Sequence, residues 1–452
     1  MEKTDVIIIG AGLTGLSLGH YLKKAGRDVI ILEKSDKTGG VIETVNKDGF
    51  IYEKGPNTGV LSSAELAMLF EELKDKCTLE TANEGAKKRY ILKDNKWVPL
   101  PSGPLSAVAT PLFSMKDKFR ILGEPFRRKG TDPDESVASL VLRRLGKSYL
   151  DYAVNPFISG IYAGDPDKLV TRYALPKLYA LEQTYGSFIK GGFAKSTQKK
   201  SDAEKKATRE VFSAKNGLGS IIDALTDSVG LQSIRTGCSN IKINPVQGGF
   251  RVTNEAAGTE YFSRNVVTTS GSYSLQGLLP FIEEELMGRI SSLRYAGVVQ
   301  VSAGYTKWSG TELDAFGGLV PAAEKKKILG ILFPSAIFPG RAPEQGALLS
   351  VFMGGINNMD ILDKSDDEIT AIVLKEINAT LQSSTKPDLL KVHRYSHAIP
   401  QYERSSGERL AAIRIIENMY PGLILAGNIR DGIGMADRVK QAANVAKQIT
   451  GN

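Results

Sequence analysis

The residues best suited to chemistry stand near the start of the chain, in "DVIIIGAGLTGLSLGHYLKKAGRDVIILEK". Gly10, Gly12 and Gly15 have the GxGxxG spacing, with Ala11, Leu13 and Thr14 completing the turn. Gly10 permits a tight turn, Gly12 lets backbone approach a pyrophosphate lying on a helix N-terminus, and Gly15 lets helix and sheet pack closely. Glu33 follows at the distance at which a carboxylate accepts hydrogen bonds from an adenosine ribose, and its charge repels a 2'-phosphate. Positioning these groups takes a strand over Val6–Ile9, a helix with Leu16, Tyr21, Leu22 and Ala25 on its apolar side and Gly26 as its stop, and a second strand over 28–32. The set predicts a dinucleotide.

The other end supplies a matching unit. "GLILAGNIRDGIGMADRVKQAANVAKQI" reads as a strand over 423–426, a glycine loop, and a helix that starts near Gly434 and Met435 and turns Val439, Ala443, Ala446 and Ile449 inward. Ends that meet in one nucleotide fold make everything between them an insertion. After Glu33 comes "KSDKTGGVIET", where Gly39, Gly40 and Thr44 resemble the second signature of FAD-containing amine oxidases, desaturases and their relatives. Val41 stands where that signature usually has arginine, so one ionic contact to the cofactor is missing while backbone contacts remain.

The totals exclude several classes. A chain of 452 residues, 42% hydrophobic, is long enough for two or three domains with real cores. Two cysteines, Cys77 and Cys238, and three scattered histidines give neither a disulfide framework nor metal-ligand spacing, so no metal site and a reducing compartment are expected. The net charge of +8 points to anionic partners. Nucleic acid is not expected among them, because aromatics do not interleave with the basic runs and no RNA- or DNA-binding signature is present. The start lacks a signal-peptide pattern, and the uncharged stretch 97–115 contains Pro99, Pro101, Pro104 and Pro111, so it cannot be one regular membrane helix.

The middle of the chain carries a more specific resemblance. "NPFISGIYAGDPDKLVTRYALPKLYALEQTYGSFIKGG", "LDAFGGLVPAAEKKKILGILFPSAIFPGRAPEQGALLSVFMGG", "AIPQYERSSGERL" and "GLILAGNIRDGIG" are similar to oxygen-dependent, FAD-containing protoporphyrinogen oxidases and to their relatives that oxidise coproporphyrinogen. Read alone, "NPFISGIYAGDPDKL" is apolar enough to be buried, and Pro156, Gly160, Gly164 and Pro166 should interrupt any long helix; a compact loop closing a core fits the same composition. The resemblance places this segment beside a tetrapyrrole cavity, with Gly160 and Gly164 allowing close approach.

That resemblance implies an α/β fold: an FAD-binding doubly wound (Rossmann-like) domain over 1–55, 211–270 and 421–452, an inserted mixed-sheet substrate domain over 56–95 and 271–420, and an α-helical membrane-binding domain over 96–210. It implies non-covalent FAD held by the glycine turn, Glu33, Lys34, Gly40, Val41, Gly55, Pro56, Asn57, Thr58, Cys238, Ile433, Gly434 and Met435. For substrate it implies Arg89 on a propionate, Asn57 beside the flavin and substrate, and Leu319 and Phe338 sandwiching the macrocycle; read alone, Asn57 is equally a turn residue after Pro56 and the two apolar residues pass as core. A guanidinium suits a carboxylate because it donates two parallel hydrogen bonds; the same arginine could be one more surface base. No acid/base dyad is evident, so no catalytic side chain is expected. Strands are expected over 304–322 and 348–355, and "SDDEITAIVLKEINATL" as a helix opened by a Ser365/Glu368 capping box.

The implied reaction is oxidation of protoporphyrinogen IX to protoporphyrin IX with dioxygen, in haem biosynthesis. Alternatives are the same chemistry on coproporphyrinogen III, an amine oxidase or carotenoid desaturase on this scaffold, and a porphyrin-binding flavoprotein without turnover. Membrane lipid is an expected partner: a short helix capped by Ser114 and Asp117 carries Phe119, Leu122 and Phe126 on one side, and Arg127, Arg128 and Lys129 close it. The run with Lys195, Lys199, Lys200, Lys205 and Lys206 reads as a solvated loop. The expected location is peripheral, on the cytoplasmic face of a bacterial membrane; a homodimer stays open.

Overall fold

The structure, a computed structural model, describes residues 1–199 and 201–451. Both ends of the chain meet in one parallel sheet. Its centre is Val6–Ile9, wholly buried, as an uninterrupted Val-Ile run must be when both faces are covered. Val29–Leu32 and Asn265–Thr268 flank it, and Ile234–Arg235 and Leu423–Leu425 form the edges. Helices Leu13–Lys24, Gly219–Val229 and Met435–Thr450 pack into one core on this sheet. Leu16 and Leu22 are buried there, but Ala25 is exposed. The first helix ends at Lys24, which leaves Ala25 as its C-cap, and Gly26 turns the chain at φ +74°.

The insertion holds a seven-stranded sheet in the order Leu389–Pro400, Tyr295–Tyr305, Ala347–Gly354, Gly330–Leu332, Gly317–Leu319, Tyr90–Lys93, Lys96–Pro99. It is mixed: Gly317–Leu319 and Tyr90–Lys93 run parallel, and the other neighbours are antiparallel. The strand expected over 304–322 is two strands, Tyr295–Tyr305 and Gly317–Leu319, separated by a polar, glycine-containing loop. Its neighbour appears as Ala347–Gly354. One face is closed by helix Asp366–Leu381, whose Ile369, Val373, Ile377 and Leu381 pack on Val299, Val301, Ile331 and Val351. Ser365 and Glu368 cap that helix reciprocally.

Two seams differ from a division by sequence. Lys96–Pro99 is the edge strand of the seven-stranded sheet. Val211–Ala214 pairs with Gly59–Val60 and Leu79–Thr81, and helix Ala64–Glu72 gives Leu66, Leu69 and Phe70 to the core around the parallel sheet.

Between Lys96–Pro99 and Val211–Ala214 the chain is helical. Winding continues from Lys147 to Tyr162 despite Pro156, through π turns at Leu150–Val154 and Ile158–Tyr162. The wider turn relieves the clash a proline ring has with the carbonyl four residues back, so Pro156 does not break the helix as expected. The run ends at Ala163, buried in the left-handed region at φ +47°. Buried Arg144 binds Glu124 at 2.7 Å and Glu182 at 2.6 Å and fastens these helices together. Ser114 caps Met115–Leu122, but Asp117 does not share that task; its carboxylate accepts from the backbone and hydroxyl of Ser148. Phe119 and Leu122 are exposed on this helix, and Phe126 is exposed on the turn Glu124–Phe126 that follows Gly123. Arg127 folds inward onto the carbonyls of Arg120, Arg143 and Arg144, leaving Arg128 and Lys129 outside. Lys200 lies outside the described residues. Among the described residues no helix is long and apolar enough to cross a membrane.

Candidate functional site

The glycine turn has the shape a pyrophosphate needs. A Cβ on Gly15 would stand 1.9 Å from the carbonyl oxygen of Gly10, and Gly10 itself has φ +103°, so neither tolerates a side chain. A Cβ on Gly12, the N-cap of helix Leu13–Lys24, would meet nothing within 4 Å. The backbone there borders open space beside helix N–H groups, which suits an anion. Gly39 donates to the carbonyl of Ala11 at 2.8 Å, bringing Gly40 against Gly12. Buried Glu33 accepts from the backbone N–H of Ala11 at 2.6 Å and of Ser35 at 2.8 Å. Those bonds orient a carboxylate that still has lone pairs for two ribose hydroxyls. Cys238 joins it, donating its N–H to the Glu33 carbonyl at 2.8 Å. These groups fit an adenine dinucleotide.

Lys34 and Val41 are exposed. The carbonyl of Val41 lies 1.8 Å from where a Cβ of Gly55 would be, which obliges glycine there. Ile433 packs with Tyr402 and Tyr162, and Met435 on the core of the parallel sheet. Asp437 accepts from the N–H of Gly434 at 3.1 Å, so the positive end of helix Met435–Thr450 carries its own counter-charge.

The loop Glu53–Asn57 lies on the front of the seven-stranded sheet, the face opposite helix Asp366–Leu381, and is tied to three of its strands. Gln300 donates to the carbonyl of Glu53 at 2.8 Å, Tyr395 to that of Lys54 at 2.5 Å, and Ser350 to Oδ1 of Asn57 at 2.6 Å. Pro56 and Thr58 flank Asn57 and are half-buried. Glu53 is buried, accepting from Thr44 Oγ1 at 2.6 Å and from the N–H of Leu218 at 2.8 Å. Burial pushes its carboxyl up to about 7, against the hydrogen bonds from Thr44 and Leu218 and the charge of Arg341.

Residues directly opposite in a sheet share a face. Ile91, Leu319, Gly330, Phe352 and Gln300 form one such row; Leu332, Ser350 and Ser302 form the next, two residues along. Gln300 and Ser350 reach Glu53 and Asn57, so both rows face the same loop. Leu319, Leu332 and Phe352 therefore make an apolar wall, with a notch at Gly330. Phe338 is absent from it: only 2% exposed, it closes on Ala86 and Ile337 beneath the Arg341 guanidinium. Leu332 and Phe352 were not singled out from the sequence, because strands buried on both faces show no alternation; the serine in "LLSVFMGG" was the available clue to parity. Arg89 precedes Ile91 by two and so falls on the front; its guanidinium lies 5.4 Å from the centroid of Phe316, with no ion-pair partner among the described residues.

The helical run crosses this wall. Gly160 rests on Leu319 so closely that a Cβ would stand 2.4 Å from Leu319 Cδ2, while a Cβ on Gly164 would stand 2.7 Å from Gln401 Oε1. Ala163 packs with Phe352. Phe157 and Ile161, one turn apart, stay exposed next to Gly160. Asn57, Gly160, Leu319 and Arg89 thus share one region, and Phe338 stands apart.

A family profile described as flavin containing amine oxidoreductase matches residues 13–450. The chain is 31% identical over 477 residues to protoporphyrinogen oxidase 1, chloroplastic, of Arabidopsis thaliana, covering 99% of this chain and 88% of that protein. It is 26% identical over 459 residues to coproporphyrinogen III oxidase of Bacillus subtilis (strain 168), covering 97% and 96%. A crystal structure from Exiguobacterium sp. 255-15 shares the fold, with TM-score 0.82, 22% identity and coverage of 99% and 98%.

Proposed function

Because the chain belongs to the flavin-containing amine oxidoreductases, in their protoporphyrinogen oxidase branch, we propose that it oxidises protoporphyrinogen IX to protoporphyrin IX with dioxygen as acceptor. It is an FAD-dependent oxidoreductase. The observation that carries the substrate is the apolar wall of Leu319, Leu332 and Phe352, set beside the Glu53–Asn57 loop and bordered by the unpaired Arg89. Such a surface suits a flat, greasy molecule with a carboxylate at its rim.

When bound, the flavin supplies the hard chemistry: it takes the electron pair of each hydride removal and passes it to dioxygen. Six hydrogens leave the macrocycle, so three dioxygen become three hydrogen peroxide. The protein's share is placement. Gly10 to Gly15 and Glu33 would hold the adenine half, and Glu53–Asn57 the ring half. The wall and helix Lys147–Tyr162 would keep the bridge carbon near that loop and water out. Arg89 would fix one propionate. Among the described residues no side chain on the wall itself is a general base, and the pyrrole nitrogens or solvent can carry the protons.

The cofactor part of the chain is read as 1–55, 211–270 and 421–452, the substrate part as 56–95 and 271–420, exchanging strands at the two seams above. Residues 96–210 are read as lipid-facing, without a span. Leu105, at 89% exposure, and Phe126, at 85%, are the extremes of an apolar set that includes Phe119, Leu122 and Phe193, and Lys190 lies 5.8 Å from the Phe126 ring. Apolar anchors with basic neighbours suit a peripheral grip on anionic lipid at the cytoplasmic face of a membrane.

The test is to give purified, FAD-loaded protein protoporphyrinogen IX and follow porphyrin fluorescence with peroxide release; three peroxide per porphyrin is expected. A yellow protein that forms no porphyrin above the uncatalysed rate refutes the reading. Coproporphyrinogen III is the second reading, favoured by the Bacillus subtilis relative, and belongs in the same assay.

A further inference from the structure

Protoporphyrinogen and coproporphyrinogen offer the same reacting carbons and differ at the rim. The first has propionates on two neighbouring rings and vinyls on the others; the second has one propionate on every ring. A pocket that separates them must read charge at the edge away from the shared propionates.

The front of the seven-stranded sheet has two unlike edges. Arg89, Ile91 and Lys93 alternate onto it, which puts Arg89 and Lys93 about 13 Å apart along the strand. At the first end Lys88 is neutralised by Asp314 at 2.5 Å, and Arg89 is free to meet a carboxylate. At the other end the Lys93 ammonium is already engaged. It donates to the carbonyls of Pro111 at 2.5 Å and Leu112 at 3.3 Å, and lies 4.6 Å from the centroid of the Tyr152 ring. An ammonium has three donors, and these contacts use them.

Tyr152 packs with Ile91 and Leu319, and its hydroxyl donates to Oε1 of Glu324 at 3.3 Å. Glu324 is half-buried and forms no ion pair among the described residues. Of the basic residues after it, Lys326 turns away to Glu376 at 3.6 Å, and Lys325 and Lys327 are exposed. The N–H of Ala322, two residues before the carboxylate, donates to Asn155 Oδ1 at 2.9 Å and ties this turn to the helical run. Asp151, one residue from Tyr152, is paired with Lys147 at 2.6 Å, and Asp94 is exposed. A propionate arriving here meets the half-buried Glu324 carboxylate, which has no ion pair of its own, before it meets a base; Lys96, opposite Lys93, and Lys325 and Lys327 are exposed to solvent.

We propose that Glu324, held against Tyr152 at the edge opposite Arg89, is a specificity-determining residue that rejects macrocycles bearing carboxylates on both edges. The substrate class it selects has its carboxylates on one edge only, and the proposal rests on the porphyrinogen reading above. Rejection by like charge is the repulsive half of specificity, and it acts on one substrate without tightening the other.

The test compares FAD-loaded wild type with Glu324→Gln and Glu324→Lys, with flavin content checked by absorbance, on both porphyrinogens at low and high salt. The wild type should prefer protoporphyrinogen. Glu324→Lys should raise kcat/KM for coproporphyrinogen about tenfold or more, through KM, while protoporphyrinogen changes by less than about threefold. Glu324→Gln should fall between, and the gain should shrink at high salt as the charges are screened. A substrate ratio unmoved by Glu324→Lys, or a wild type that prefers coproporphyrinogen, overturns the role of Glu324 and leaves porphyrinogen oxidation standing. A flavin-loaded wild type that oxidises neither overturns both.

Discussion

Gly160 and Leu319 share one small volume, and a double-mutant cycle exposes that sharing. In Gly160→Ala the new Cβ would stand 2.4 Å from Leu319 Cδ2, more than an ångström inside ordinary contact. Relieving such overlap in a packed region costs about 1–3 kcal/mol. Leu319→Ala alone removes a half-buried leucine from contact with Ile91 and Tyr152, at about 2 kcal/mol. If the sites were independent, the double variant would lose about 3–5 kcal/mol, the sum of the two. The structure instead predicts that the alanine at 160 occupies space the leucine vacated, so the pair costs about 2 kcal/mol and couples favourably by about 1–3 kcal/mol. The assay is thermal unfolding of the FAD-loaded proteins together with kcat/KM on the porphyrinogen. Gly160→Ala should depress both, and adding Leu319→Ala to it should cost little or no further stability, whereas the same Leu319→Ala in the wild type costs about 2 kcal/mol. A double variant equal to the sum of the singles would refute the contact, and with it the placement of the helical run on the wall.

Gly15→Ala should leave a chain unable to retain flavin, because no rearrangement short of moving the helix clears 1.9 Å; absorbance of the purified protein checks this. Arg144→Met should destabilise by about 3–5 kcal/mol, since two buried carboxylates lose their cation, and denaturant melts would register it. Glu53 sets a pH dependence of definite sign. Its folded pKa of about 7, against an ordinary 4.5, means that the folded form binds the proton more tightly, so its contribution is fully present below about 4.5 and is lost as pH rises through 7. The whole is about 3 kcal/mol, and Glu53→Gln should flatten that stretch of a stability–pH curve. Replacing Phe119, Leu122 and Phe126 by serine should reduce co-sedimentation with anionic vesicles without lowering flavin content.

Local features were legible from sequence because their physics is local. The glycine turn over 10–15, the acid Glu33 at the end of the next strand and the Ser365/Glu368 box each depend on elements adjacent in sequence, and the turn, the strand and the box form where they were expected. Features that depend on the far side of a contact were not. Asp117 and Arg127 look like a helix cap and a lipid-facing base until Ser148 and the carbonyls of Arg143 and Arg144 arrive from elsewhere. Phe338 looks as good a wall residue as Phe352 until the fold tucks it after a short helix against Ala86 and Ile337, while Phe352 lies in the row that faces the Glu53–Asn57 loop. Pro156 looks like a breaker because a π turn leaves no mark in composition. Tyr295–Tyr305, buried on both sides, has no alternation from which Gln300 could have been singled out.

The loop Glu53–Asn57 is fastened by Gln300, Ser350 and Tyr395, three neighbours in the very sheet whose front forms the wall. On the proposed reading, the seat for one ring system would be a shelf bolted to the seat for the other. Because those three bonds are made within the chain, the shelf would already be in place before either ring system arrives, and a shift of one seat would be passed to the other.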